Sequence, residues 1–404
     1  MELHPILSAM RRNKVGALVI VAQTAITLAI LCNSLFIIQQ RLRLSDRPTG
    51  LQEQDIFTIA NQWVGNPPDL AARTRADLAA LRALPEVVDA YVSNSYPLSN
   101  GGWDDAIMLE AADAHWVATG ALYFADEHAL ATLGLKLIAG RNFDAAEIAD
   151  RSDMEAKPPS SLIVSQALAT KVFPNGDALG KSIYLADYKQ KVPIIGIVER
   201  LQQPWVSATN QRVENAMLQP YRYLETYSHY VVRAKPGQLE AAMKSAQKQL
   251  LAISRARVND KTRTLLESRR RAYRDDRGLA IILAIVSVVL LIVTAFGIIG
   301  VTSFWVSQRR RQIGIRRAMG ATRTAILRYF QTENLMIATA GAVLGVVLAI
   351  ALNLWMAGKF EIARLEIGYT LVAAVLVMLL GQVAVLWPAL RAASISPVVA
   401  IRNV

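Results

Sequence analysis

The sequence predicts a membrane protein: an α-helical bundle of four transmembrane helices plus a large α+β domain inserted between helices one and two. Three observations predict it. Four apolar runs, residues 15–38, 279–306, 334–357 and 369–390, are each long enough to cross a bilayer, whose core of ~30 Å takes about 20 helical residues. None of the four carries an ionised residue in its interior. The stretch between the first two, residues 41–276, is polar and mixed, and long enough for one or two globular subdomains.

Composition narrows the class. The chain has 404 residues, is 53% hydrophobic and carries a formal charge of +12. A basic balance suits nucleic acid or a membrane surface, and the apolar content decides for the membrane. No nucleic-acid partner is expected; membrane lipid is. Cys32 is the sole cysteine, so no disulfide forms within the chain.

The first run follows Arg11, Arg12 and Lys14, as a signal peptide would. It is too long for a signal-peptide core, and Gln39-Gln40-Arg41 follows instead of a small-residue cleavage site. It reads as an uncleaved signal anchor. Inside it, Gln23 and Thr27 are one turn apart and share a face. Polar side chains in a span usually hydrogen-bond to other helices.

Orientation comes from residues 308–322, QRRRQIGIRRAMGAT. Seven basic residues (Arg309, Arg310, Arg311, Arg316, Arg317, Arg323, Arg328) lie between Ser307 and Glu333, the only acid there. Short basic loops between spans stay in the cytoplasm. Ile313, Arg316, Arg317 and Gly320 recur at helical spacing, which predicts a short helix along the membrane face. Gly320 then supplies the left-handed turn that ends it. Arg391 and Arg402 follow the fourth span, so both chain ends are expected inside. Lys359, Glu361, Arg364 and Glu366 cancel in the 358–368 loop, as suits the outer face.

The large insert reads as mixed α+β. Asp55–Trp63 alternates like a strand, Asp69–Leu84 reads as a helix capped by Asp69, and Val87–Ser95 is a strand again. The order reappears as strand His229–Ala234 and helix Gln238–Leu250. Between them lie a helix at Ser165–Phe173 and strands at Lys181–Leu185 and Val192–Val198. The basic stretch 255–277 reads as a solvated helix face, or as cations resting on anionic headgroups just above the second span. Trp305, Trp355 and Trp387 sit at span ends, as interfacial tryptophans do. Gly341 and Gly345 form a GxxxG surface for close packing of another helix, modestly favouring a dimer.

Chemistry is sparse. Gly176-Asp-Ala-Leu-Gly180-Lys181-Ser182 is one residue short of a phosphate loop and leads into a strand, not a helix. His4, His115, His128 and His229 show no ligand spacing, and no GxSxG or Cys–His arrangement exists. The acids Asp104, Asp105, Asp113, Asp126 and Glu127 read as solvated turns. No catalytic, cofactor-binding or metal-binding residue is predicted. With no charge inside a span, an ion-driven carrier is disfavoured. Energy is expected from a partner, received at the basic cytoplasmic helix.

QRRRQIGIRRAMGAT followed by a span resembles the signature of the FtsX/MacB superfamily of ABC transporter permeases, also called type VII. So does the closing WPALRAASISPVVAIR. The insert resembles a MacB-type periplasmic domain through ALATLGLKLIAGRNF, SSLIVSQALATKVFPNGDALGKSIYL and VPIIGIVE. Together these cover nearly the whole chain, in matching order and spacing.

The resemblance implies a non-catalytic permease subunit in the bacterial inner membrane. Residues 1–14 and 391–404 are then cytoplasmic ends, and 15–40, 277–306, 334–357 and 369–390 are spans. Residues 41–276 form the periplasmic domain, with a porter-like part at about 50–125 and 226–255 and an inserted part at about 125–225. Residues 307–333 hold a coupling helix and loop, and 358–368 a short periplasmic loop. The resemblance assigns ATPase coupling to Arg309, Arg310, Arg311, Ile313, Gly314, Ile315, Arg316, Arg317 and Gly320. Its arginines would meet acids, Ile313 and Ile315 would anchor against apolar surface, and Gly314 would permit close approach.

The implied partners are an ABC ATPase dimer using ATP and Mg, a second permease copy or a homologous permease, a periplasmic adaptor and an outer-membrane exit duct. The implied process is mechanotransmission that moves periplasmic cargo outward, with FtsX-like control of an envelope enzyme or Lol-like lipoprotein release as alternatives. Two departures stand out. The MacB branch carries a fused N-terminal ATPase, so here a separate one is expected. Gln312 stands where the family usually has an acid, which removes one ion pair with the ATPase or Arg316.

Overall fold

The computed structural model describes residues 14–110, 116–152, 157–186, 188, 190–206, 212–360 and 364–394. The expectations on His4, Arg11, Arg12, Asp113, His115, Glu361 and Arg402 lie outside these. The chain divides into two compact units: residues 1–44 with 276–404, and residues 45–275.

The first unit is helical. Its long elements are α1 (Lys14–Ser45) and, after the second unit, the later helices of the chain. The second unit begins with β1 (Ile56–Trp63), α2 (Leu70–Arg82), β2 (Val87–Ser93), β3 (Trp103–Met108) and β4 (Ala118–Phe124). Then come α3 (Ala129–Leu133), β5 (Leu137–Gly140), β6 (Ala149–Arg151), β7 (Leu162–Ser165), α4 (Gln166–Val172), β8 (Ser182–Leu185) and β9 (Lys191–Val198). β10 (Ala216–Gln219), β11 (Tyr221–Tyr223), β12 (Tyr227–Ala234), α5 (Leu239–Ile253), β13 (Arg257–Thr264) and α6 (Leu265–Ala272) complete it. The helical unit resumes with α7 (Arg274–Gln308), α8 (Arg310–Ala318), α9 (Arg323–Phe360) and α10 (Ile367–Ala393). Of these, α1, α7, α9 and α10 are long and apolar enough to cross a membrane.

The second unit holds two main sheets. One runs β13-β1-β12-β2, the other β5-β9-β7-β10-β4-β3-β8. The four-stranded sheet packs one face on α2 and α5 through Phe57, Ile59, Leu78, Leu81, Tyr230 and Ala246. Its other face meets the seven-stranded sheet through Ile56, Tyr91 and Val231 against Tyr123, Ile163 and Leu218. Burial on both faces explains why β1 is buried at seven of its eight positions rather than alternating. Asp69 does occupy the cap position of α2, but in a left-handed conformation and without a side-chain cap bond. Ser165 caps α4 by accepting from the Leu168 amide at 3.2 Å, and Thr264 caps α6 by accepting from the Glu267 amide at 3.1 Å.

Three expectations change here. β3 and β4, placed by sequence in the porter-like part, lie in the seven-stranded sheet. The basic stretch 255–277 is not one solvated helix face, because residues 257–264 form an edge strand. Within it Arg257 is fully buried: its Nη1 and Nη2 donate to Asp77 at 2.7 and 2.9 Å, and its guanidinium lies 4.0 Å from the Trp63 ring centre. Asp126 is 2% exposed rather than a solvated turn, with the Arg82 guanidinium 3.0 Å away. Burial, the largest influence, raises the Asp126 carboxyl above the ordinary carboxylate range, against the opposing pull of Arg82.

Candidate functional site: the basic helix between the second and third spans

α7 ends at Gln308, and the chain bends at Arg309 before α8. The bend is tight: the Arg309 amide still donates to Trp305 O, and Arg309 O accepts from the Ile313 amide, each at 3.0 Å. α8 closes at Gly320, whose φ of +99° is the left-handed turn that glycine accommodates without strain. The Gly320 and Ala321 amides cap the last carbonyls by donating to Arg317 O and Arg316 O. Thr322 then caps α9 by accepting from the Ala325 amide at 3.2 Å.

α8 has two faces. Ile313 and Gly314 are buried, with Ile313 in a cluster that includes Trp305, Ile326, Phe330, Val385 and Ala389. Arg310, Arg311, Ile315, Arg316, Met319 and Gly320 are exposed, and Arg317 is half-buried. Of the two isoleucines expected to anchor the helix against apolar surface, Ile313 is buried in this cluster and Ile315 is 42% exposed. Ile313 holds α8 to its own bundle, and the large exposed apolar side chains are Ile315 and Met319, the latter 76% exposed.

Arg309 faces inward. Its Nη1 donates to both oxygens of Glu333, at 3.0 and 2.9 Å. Glu333 therefore belongs to α9 as a buried member of the bundle rather than to a loop. Arg316 extends over the Tyr329 ring, 5.1 Å from its centre. Trp305 is not an exposed interfacial anchor: it is 4% exposed, and a Cβ on Gly16 would meet its ring at 2.9 Å. Trp355 and Trp387 are exposed, at 59% and 58%.

The polar and small residues of the spans meet within the chain. Gln23 Nε2 donates to Val293 O at 3.0 Å, and the hydroxyls of Thr27 and Thr294 are 2.8 Å apart. A Cβ on Gly341 would meet Thr24 Cβ at 2.8 Å, and one on Gly345 would meet Ala25 O at 2.9 Å. The glycine pair thus seats α9 on α1, and the polar pair seats α7 on α1.

The near phosphate loop makes no cradle. Gly176 and Gly180 have no neighbour that a Cβ would meet, and Lys181 pairs with Asp177 four residues back. No group of His, Cys, Asp and Glu among the described residues could hold a metal ion. Sequence reasoning missed Glu333 and Met319 as members of the site. Met319 stood beside the chosen Gly320, whereas Glu333 lies 24 positions from its partner and carries no local signal.

Comparison with known proteins agrees with this architecture. Residues 25–250 match the family described as the MacB-like periplasmic core domain, and residues 284–397 match the FtsX-like permease C-terminal family. The chain is 24% identical over 271 residues to the macrolide export ATP-binding/permease protein MacB of Neisseria gonorrhoeae, covering 66% of this chain and 39% of that one. It is 27% identical over 314 residues to the protein of the same name in Campylobacter jejuni, covering 72% and 47%. The chain thus spans less than half the length of these relatives. The periplasmic region of MacB from Actinobacillus actinomycetemcomitans aligns at 14% identity and a TM-score of 0.35, over 57% of this chain and 97% of that one.

A core-domain match of this kind and four membrane-length helices make this a multi-pass protein of the bacterial inner membrane. Its large domain is periplasmic, and the α8 loop, one span further on, is cytoplasmic.

Proposed function

We propose, because this chain belongs to the MacB-like family of FtsX-type permeases, that it is the permease subunit of an ABC-type efflux system. An ATPase dimer outside residues 1–404 docks on the exposed face of α8 and consumes ATP with Mg. Closure of that dimer moves the spans, and the periplasmic domain follows by mechanotransmission. Periplasmic cargo, an antibiotic or peptide, then passes outward through an adaptor and an exit duct. The relatives' names mention macrolide export, which supports this cargo class. A second permease, identical or homologous, completes the pair.

The observation that carries this reading is the division of α8. Ile313 ties it to the bundle, while Arg310, Arg311, Ile315 and Met319 are exposed, and Arg316 is exposed over the Tyr329 ring. A short helix that is rigidly seated and outwardly basic transmits a push, and exposed guanidiniums suit bidentate pairing with carboxylates on a partner. The test is Arg310→Glu with Arg311→Glu, and separately Met319→Glu, in the full chain. Loss of ATPase co-purification and of stimulated hydrolysis is expected. Survival of both in both variants sinks the docking role.

A further inference from the structure

The four-stranded sheet meets the seven-stranded sheet along only part of its inner face. Ile56, Tyr91 and Val231 fill the contact at one end. Further along, the two layers part and leave a cavity of ≈ 760 Å³. That is within the range of small-molecule sites, about 300–1,000 Å³.

The floor of the cavity follows from strand register. Ala60 on β1 pairs with His229 on β12 and with Lys261 on β13, so the three side chains form one row on one face. A methyl group between an imidazole and an ammonium leaves the centre of the row empty. The next row brings Arg263 onto the same face opposite Thr58. Arg271, from α6, adds a third cation to the wall. The side chains of Lys261, Arg263 and Arg271 have no hydrogen-bond or ion-pair partner among the described residues. Glu225 is the only acid among the lining residues.

The remaining walls are aromatic. Tyr96 and Tyr227 each stand edge-on to His229, with ring centres 5.1 Å away. Trp103 stands edge-on to Tyr223 at 5.9 Å. The roof is a loop held off the floor. The Leu98 amide donates to Gln203 O, the Asn100 amide donates to Pro204 O, and both residues hold positive φ. The His229 Nδ1 is buried without a hydrogen-bond partner. Burial lowers this imidazole to about 4, so it is neutral at neutral pH and does not add to the positive wall.

We propose that this cavity is a binding site for an aromatic carboxylate, its charge held by Lys261, Arg263 and Arg271 and its ring lying over Ala60 between the aromatic walls. The chemistry is direct. Unpartnered cations favour an anion, and ring walls favour a flat apolar body. The site lies wholly in the periplasmic unit and needs no ATPase, so it stands or falls separately from docking at α8.

The test uses the full chain in nanodiscs of zwitterionic lipid. Indole-3-acetate and indole-3-acetamide share a ring and differ in charge, and equilibrium dialysis reads the binding of each. Saturable binding of the carboxylate is expected, roughly tenfold or more tighter than the amide. Lys261→Gln with Arg263→Gln should abolish that preference, since it removes two of the three lining cations at an edge strand and leaves the ring walls in place. Ala60→Leu should block both compounds by filling the floor, and the charge variant decides the matter if Ala60→Leu does not fold. Absence of saturable binding, equal affinity for the two compounds, or an unchanged preference in the charge variant overturns the proposal.

Discussion

Arg309 and Glu333 tie the bend after the second span to the third span. One guanidinium nitrogen donates to both carboxylate oxygens, and the side chains are 13% and 2% exposed. Trp305 lies against the same guanidinium, 5.8 Å from ring centre to charge. Arg309 is therefore a fastening of the cytoplasmic helix rather than part of its outward face. α8 is held at its start by this pair and at its middle by Ile313.

Removing one partner leaves the other buried and uncompensated, which typically costs about 3–5 kcal/mol. Glu333→Ala should therefore lower the thermal midpoint of the full chain in detergent more than Arg310→Ala does. The exchange Arg309→Glu with Glu333→Arg should recover part of the loss. Equal midpoints for Glu333→Ala and Arg310→Ala would show that the pair does not hold the bend.

The Asp77–Arg257 pair makes a similar case in the periplasmic unit. Both side chains are fully buried, and Tyr230 also donates to Asp77, at 2.7 Å. Asp77→Ala should destabilise by about 3–5 kcal/mol, while Asp77→Leu combined with Arg257→Met should cost less than Asp77→Ala alone. Chemical denaturation followed by periplasmic-domain fluorescence reads both. Additive losses would contradict a coupled pair.

Gly345 and Gly341 have no room for a side chain where α9 crosses α1. Gly345→Val should cost about 1–3 kcal/mol through overpacking. Gly300→Val serves as control, because beyond its own helix backbone no atom of the described residues lies within 4 Å of its Cβ position. Light scattering should show the same oligomeric mass for wild type and Gly345→Val. A variant that keeps its stability but loses a partner copy would place the glycines at a subunit contact instead.

His229 gives a pH signature. Its folded value, about 4, lies below the ordinary 6.5 because of burial. The unfolded chain thus binds the extra proton first, and stability falls as pH drops from about 6.5 to about 4, by up to about 1.4 kcal/mol per pH unit. The contribution is fully present above that window. His229→Gln should flatten the fall in a pH series of thermal midpoints. An unchanged series would mean that the imidazole is solvated in the folded protein.

Much of the helical unit was legible because it depends on local composition. Span length, the basic loop and the turn at Gly320 all follow from short stretches and the chemistry of a bilayer. The periplasmic unit was legible only in fragments. β1, α2, β2 and α5 carry recognisable patterns, but β13 does not. RVNDKTRT reads as a solvated charged stretch until Asp77, 180 positions away, is seen to neutralise Arg257. The same limit hid Glu333, which looks like the last residue of a polar loop until Arg309 meets it.

The sequence alone determined that four segments enter the membrane, that one large domain lies outside and that a basic helix lies within, because hydropathy and charge act residue by residue. Tertiary structure decided which arginines are fastenings and which face outward. It also decided that the glycine pair serves the chain's own first helix, and that a row of His229, Ala60 and Lys261 opens a cavity. Those outcomes depend on partners brought together from distant positions, and burial and pairing are properties of the pair, which no local stretch contains.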